Sequence, residues 1–252
     1  MTDDIELLKK RFIELANKSY NSGIFTFTDF LGLGEQSAFN EIKKEISHVH
    51  YTAFGGADGA ERVVIRFGSE EELLYEVPFP IVAIKVEPVS QKYADKLTHR
   101  DFLGAILNLG IERATIGDIV IIDNVGYVFV AEDISEYILR ELSRIKHTDV
   151  RVTVTDNLPD GELYRVVAKR IQASSERVDS IIAKTFNLSR EAAQMLFRKH
   201  LVFVSGRMIE STSHTPKVGD VISVRGYGRM IYRGYESLSK KGKLNITVEV
   251  YV

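Results

Sequence analysis

Apolar residues recur along this chain with two alternating periods, and the blocks outline a mixed α+β protein. Ile5, Leu8, Phe12 and Leu15 form one stripe of an amphipathic helix predicted over 4–17, and Asn21-Ser22-Gly23 breaks it. A short strand over 24–27 and a helix over 35–46 follow. Two alternating strands, 48–54 and 62–67, are joined by a loop of glycines and small residues. Pro78-Phe79-Pro80 marks a boundary, because proline neither donates a backbone hydrogen bond nor lets its predecessor stay helical.

The middle third reads strand 81–86, helix 99–109, strands 118–122 and 126–131, helix 134–142 and strand 150–155. That order, β-α-β-β-α-β, predicts a split ferredoxin-like unit, the class that includes the common RNA-recognition fold. Tyr127 and Phe129 stand where that fold places stacking aromatics, although Val125 replaces the usual basic residue and the first strand offers no aromatic partner. The same two residues fit the core of a half-buried strand equally well.

An alternating segment, 163–173, leads into a final block. Val178, Ile181, Ile182 and Phe186 recur at helical spacing, and Ser189 occupies an N-cap position before a second helix over 190–198. On that helix Ala193, Leu196 and Phe197 face inward, whereas Arg190, Gln194 and Arg198 share the outer face. A hairpin turns at Ser205-Gly206, a strand covers 221–224, and Lys240-Lys241-Gly242-Lys243 forms a basic turn before a closing strand, 244–252. The expected architecture is therefore α+β in three small domains: 1–78, 79–160, and 161–252 with its linking strand.

Charge changes the picture of the last block. The chain is nearly neutral, yet residues 176–252 hold 13 lysines and arginines against 7 acidic residues, a net of +6, and residues 1–175 carry −8. A basic end on an acidic body is the asymmetry of a nucleic-acid reader. Cysteine is absent, so disulfides, thiolate nucleophiles and Cys-ligated zinc are excluded, and a reducing cytoplasm is the expected location. The acidic opening Met1–Glu6 does not read as a secretory signal, and no apolar run is long enough for a bilayer.

Three chemical motifs fail on inspection. Gly32 and Gly34 sit in a loop that lacks the third glycine and acidic partner of a dinucleotide site. His48 and His50 share a strand face but have no third ligand at metal spacing. His99-Arg100-Asp101 opens a helix, and no phosphate-covering loop accompanies it. Arg100 and Arg113 are second candidate RNA contacts, with surface salt bridges as the plainer role. No metal and no cofactor is expected.

The ordered set Arg177-x-Asp179, Ser189-Arg190-x-x-Ala193-Gln194, Val-x-x-Gly206-Arg207 and Gly219-Asp220-x-Ile222-x-Val224-Arg225-Gly226-x-Gly228-Arg229 resembles the small RNA-binding module named after ribosomal protein S-four. The resemblance implies an RNA-binding surface of Arg177, Ser189, Arg190, Gln194, Arg198, Arg207, Arg225 and Arg229, with Lys199 and Tyr227 on the same stretch. The turn that often reads Asn-Gly in that module is Ser205-Gly206 here.

With the loop Gly55-Gly56-x-x-Gly59-Ala60-Glu61-Arg62 and the helix start His99–Gly104, the whole chain resembles the YlmH-type proteins of Gram-positive bacteria. That family is associated with cell division and ribosome quality control. The resemblance implies a non-enzymatic protein that binds ribosomal RNA on the large subunit together with peptidyl-tRNA, with no membrane contact and as a monomer. Two other readings stand beside it: an RNA-modifying enzyme of pseudouridine-synthase or methyltransferase type, and an interaction scaffold for division.

Overall fold

The structure, a computed structural model, describes residues 2–159, 163–239 and 242–252. Lys240, Lys241 and the expected boundary at residue 160 lie outside the described residues. The chain divides into two compact units, residues 1–35 with 41–163, and residues 36–40 with 164–252.

The first unit opens with α1 (Thr2–Ser22), longer at both ends than its apolar stripe predicts. Phe12, Leu15 and Ala16 are buried, whereas Ile5 at the free end of the stripe is exposed. Then come β1 (Thr26–Phe27), α2 (Leu33–Ile42, of which residues 36–40 are counted with the second unit), β2 (Tyr51–Phe54), β3 (Val64–Phe67) and α3 (Glu70–Leu73). The three strands pair antiparallel in the order β1-β3-β2. The expected strand over 48–54 is shorter because residues before Tyr51 lie in a turn. α3 is too short for periodicity to reveal, and the Ser69 hydroxyl caps it by accepting from the Glu72 N–H.

The same unit continues with β4 (Ile81–Pro88), α4 (His99–Leu107), β5 (Ile116–Ile122), β6 (Val125–Ala131), α5 (Glu132–Glu141), β7 (Arg144–Ile145) and β8 (Thr148–Val154). All pairings are antiparallel, in the order β5-β6-β4-β8-β7, so the first and third of the four long strands are central, as the β-α-β-β-α-β order predicts. Alternation sends Ile84, Val86, Val128 and Val130 to one face, where Phe102 and Ile106 of α4 and Ile138 of α5 cover them. Asp123 and Asn124 both take positive φ, as a two-residue hairpin turn between β5 and β6 requires. Asn124 then uses its side chain to accept from the Leu97 N–H and donate to the Asp95 carbonyl, which ties the approach to α4 to that turn.

The other face settles the reading of Phe129. Its ring is completely buried with Phe30 and Val64, so it is core and cannot stack on a base. Tyr127, two residues earlier on the same face, is half-buried. Gly56 lies directly against the Phe129 ring at φ +97°, and a Cβ there would stand 2.2 Å from a ring carbon.

The second unit is built from β9 (Val166–Ala173), α6 (Val178–Thr185), α7 (Arg190–Arg198), β10 (Val202–Val204), β11 (Arg207–Met208), β12 (Val221–Val224), β13 (Gly228–Leu238) and β14 (Leu244–Tyr251). They form one antiparallel sheet in the order β11-β10-β12-β13-β14-β9. Val178, Ile181 and Ile182 of α6 and Ala193, Leu196 and Phe197 of α7 share a core with Ile222, Val224, Met230, Ile246 and Val248 of the sheet. The segment 163–173 thus joins the sheet as an edge strand paired along its length with β14.

Substituting Gly56→Val adds atoms where the Phe129 ring stands and forces a β-branched residue into positive φ. The expected cost is about 3 kcal/mol, read as a lower urea midpoint at unchanged m-value.

Candidate nucleic-acid interface

The basic surface of the second unit begins at the foot of α6. Arg177 is half-exposed, and its guanidinium is engaged by the protein itself. Its guanidinium spans both oxygens of Asp179, at 3.1 and 3.0 Å, and also donates to the Thr212 hydroxyl at 3.1 Å. Asp179 is 4% exposed and accepts the Ser180 N–H as well, so the buried carboxylate is fully used. Beside this pair the Val178 N–H donates to the His214 carbonyl at 2.8 Å. The Arg-x-Asp sequence therefore clamps the 211–214 loop to the start of α6.

Asn187 at φ 55° ends α6, and the Ser189 hydroxyl accepts the Ala192 N–H at 3.1 Å. Ser189 is the N-cap of α7, and that bond occupies its hydroxyl oxygen. Burial of Ala193, Leu196 and Phe197 fixes the rotation of the helix, leaving Arg190 and Arg198 exposed and Gln194 half-exposed along the outer stripe. Arg190 and Arg198 are eight residues apart, which spaces them by about 12 Å along the axis.

At the C-terminal end of α7, His200 turns the chain at φ 54° into β10. The Arg225 N–H donates to the Leu201 carbonyl at 2.9 Å, so the end of β12 lies beside the end of α7. Arg198, Lys199 and Arg225 consequently gather at one corner, where the negative end of the helix dipole favours cations. Arg225 lies over the Phe203 ring at 4.8 Å. Tyr227, 47% exposed, sits in the turn after it with its ring 6.1 Å from that of Phe186. Among the described residues, Arg190, Arg198, Lys199, Arg207 and Arg225 make no ion pair with a carboxylate.

Two candidates stand apart from this corner. Arg207 is exposed on the edge strand β11, reached through Ser205 and Gly206, both at positive φ. Serine holds that strained position with a side-chain tie, its hydroxyl donating to Asp220 at 2.8 Å. Arg229 alternates with buried Met230, so it leaves the sheet on the side away from α6 and α7 and lies over the Tyr251 ring at 4.2 Å. Lys184 on α6, which no motif marks, and Lys243 of the basic turn border a cavity with Arg190. A single lysine carries no spacing signal.

In the first unit the motifs resolve into structure. Asp101 accepts from the Thr98 N–H and hydroxyl and pairs with Lys146, which together hold its carboxyl down at about 2, so it caps α4. Arg62 donates to the Ile116 and Phe30 carbonyls, and Asp118 accepts the Glu61 and Arg62 N–H groups. Arg113 turns inward onto the Ile116 and Gly117 carbonyls, and burial lowers its guanidinium to about 10. The Gly32 N–H is capped by Glu35 at the start of α2. His48 bonds Asn17 and His50 pairs with Glu72, and no metal-ligating cluster exists among the described residues.

A protein-family model described as a putative RNA-binding domain in YlmH matches residues 76–158. The chain is 30% identical over 229 residues to the ribosome-associated protein quality control protein P2 of Bacillus subtilis (strain 168), covering 88% of this chain and 86% of that protein. Among solved structures, the cell division protein ylmH from Streptococcus pneumoniae is 19% identical, covers 60% of this chain and 91% of that one, and gives a TM-score of 0.48.

Replacing Asp179→Asn leaves the Arg177 guanidinium without its ionic partner. A loss of about 1–3 kcal/mol is expected in urea unfolding of the whole chain, whereas Arg190→Ala should stay within about 0.5 kcal/mol.

Proposed function

The chain belongs to the YlmH family, and on that premise we propose that it is a non-enzymatic protein that binds structured ribosomal RNA on the large subunit in the presence of peptidyl-tRNA. The observation that carries this reading is the corner of Arg198, Lys199 and Arg225, free of carboxylate partners among the described residues and flanked by exposed Tyr227. Unpaired guanidinium groups beside an aromatic ring suit phosphate contacts joined to base stacking. The match of residues 76–158 to a putative RNA-binding domain, and the name of the Bacillus subtilis relative, support the same direction.

Within this reading the ten candidate residues divide by role. Arg190, Gln194, Arg198, Lys199, Arg207, Arg225 and Tyr227 contact RNA directly. Arg177 and Ser189 act earlier in the chain of cause, holding α6 and α7 in the geometry that presents the others. Arg229 serves the opposite side of the sheet. The protein works as a monomer in the cytoplasm, organised as three domains over 1–78, 79–160 and 161–252. Among the described residues, no helix is long and apolar enough to cross a membrane.

Co-sedimentation with ribosomal subunits at moderate salt tests the proposal, and a protein that stays in the supernatant sinks it. With four to six phosphates neutralised, log K should fall with log salt at a slope of about −3 to −5. The double substitution Arg190→Ala with Arg198→Ala should reduce that slope by about 2 while leaving the fold intact by circular dichroism.

A further inference from the structure

A cavity of 290 Å³ lies beside the first turns of α6 and α7, where the end of β9 meets the β13–β14 turn. Its size falls at the lower end of small-ligand sites, about 300 Å³, and leaves more room than a lone phosphate fills. Besides Arg177, which Asp179 pairs, three cations border it: Lys184, Arg190 and Lys243. None has a carboxylate partner among the described residues. One carboxylate is among the described residues of the lining, Asp179, and its charge is already spent on Arg177. Three like charges around one hollow repel each other, and an entering anion relieves that repulsion.

The remaining walls favour a particular anion. Ser174 and Ser180 share one hydrogen bond at 3.3 Å, so one of the two hydroxyl hydrogens stays available to a ligand oxygen. Ala183 and Leu188 supply an apolar wall against which a sugar or a base can lie. The approach of Lys243 is fixed by its backbone: its N–H donates to the Ser239 hydroxyl at 2.9 Å, and its carbonyl accepts the Ser239 N–H at 2.7 Å.

We propose that this cavity binds the phosphate of a nucleotide, with Lys184, Arg190 and Lys243 on the phosphate and the Ala183–Leu188 wall against the nucleoside. The nucleotide comes either from RNA held on the outer face of α7 or from solution, and only the first source rests on the function proposed above.

The full chain is titrated with inorganic phosphate and with uridine 5′-monophosphate, followed by calorimetry. Uridine monophosphate should bind about tenfold more tightly than phosphate, and Lys184→Ala with Lys243→Ala should weaken it about tenfold or more. Both lysines are exposed, and the charge-neutral pair Lys184→Gln with Lys243→Gln repeats the test if the alanine variant unfolds. Failure of both ligands to bind, or binding that neither double variant changes, overturns the proposal. Equal affinity for phosphate and nucleotide overturns the nucleotide assignment. Displacement of bound nucleotide by a ribosomal RNA fragment identifies RNA as the source, and simultaneous binding identifies a free nucleotide. Sedimentation of the unaltered chain with ribosomal subunits is scored separately, so loss of one result leaves the other standing.

Discussion

The second unit depends on one ion pair, a buried carboxylate held by a half-exposed guanidinium. Arg177 and Asp179 sit at the start of α6, and through Thr212 they reach the loop between β11 and β12. Neither charge is cheap to remove from water, and the pair is tolerated because every oxygen of Asp179 is met by a donor. What the pair contributes is position. It fixes the start of α6 against the sheet, Asn187 and Ser189 set the angle at which α7 follows, and buried Leu196 and Phe197 decide which side of α7 faces out. The corner of Arg198, Lys199 and Arg225 is the product of those three local choices.

The first unit shows how a face suited to ligands can be given over to packing. Its five-stranded sheet has helices on one side, and at one end of the other side Phe129 is closed in by Phe30, Val64 and the backbone of Gly56. The rest of that face stays more open, with Tyr127, Lys85 and Glu87 half-buried and Arg151 and Thr153 exposed. The half-buried Arg62 ties segments together there, since its guanidinium donates to carbonyls of both the β1–α2 segment and the start of β5.

Much of this was legible in the sequence, for definite reasons. Ile84 and Val86, or Val128 and Val130, alternate because one face of their sheet is covered, and period-two alternation reports that directly. Ser189 was readable as a cap because its side chain acts within one turn. The expected elements leave out β13, an 11-residue strand with two irregular registers in which Gly228 and Gly234 sit at positive φ and interrupt the alternation. The burial of Phe129 was equally out of reach, since periodicity says which residues share a face and nothing about what covers it. Asp118 and Lys184 act through partners or neighbours tens of residues away, and no local pattern marks them.

Capping by Ser189 and clamping by Arg177 bear on how such modules are recognised from sequence. Both residues belong to the motif set by which the last block resembles a known RNA-binding module, yet both spend their polar atoms on the protein itself. A chain could keep Arg177, Asp179 and Ser189, lose its cations at 198, 199 and 225, and still carry much of that signature. The reverse error is equally available: a scaffold capped by aspartate and clamped by some other pair would present the same corner and go unnoticed.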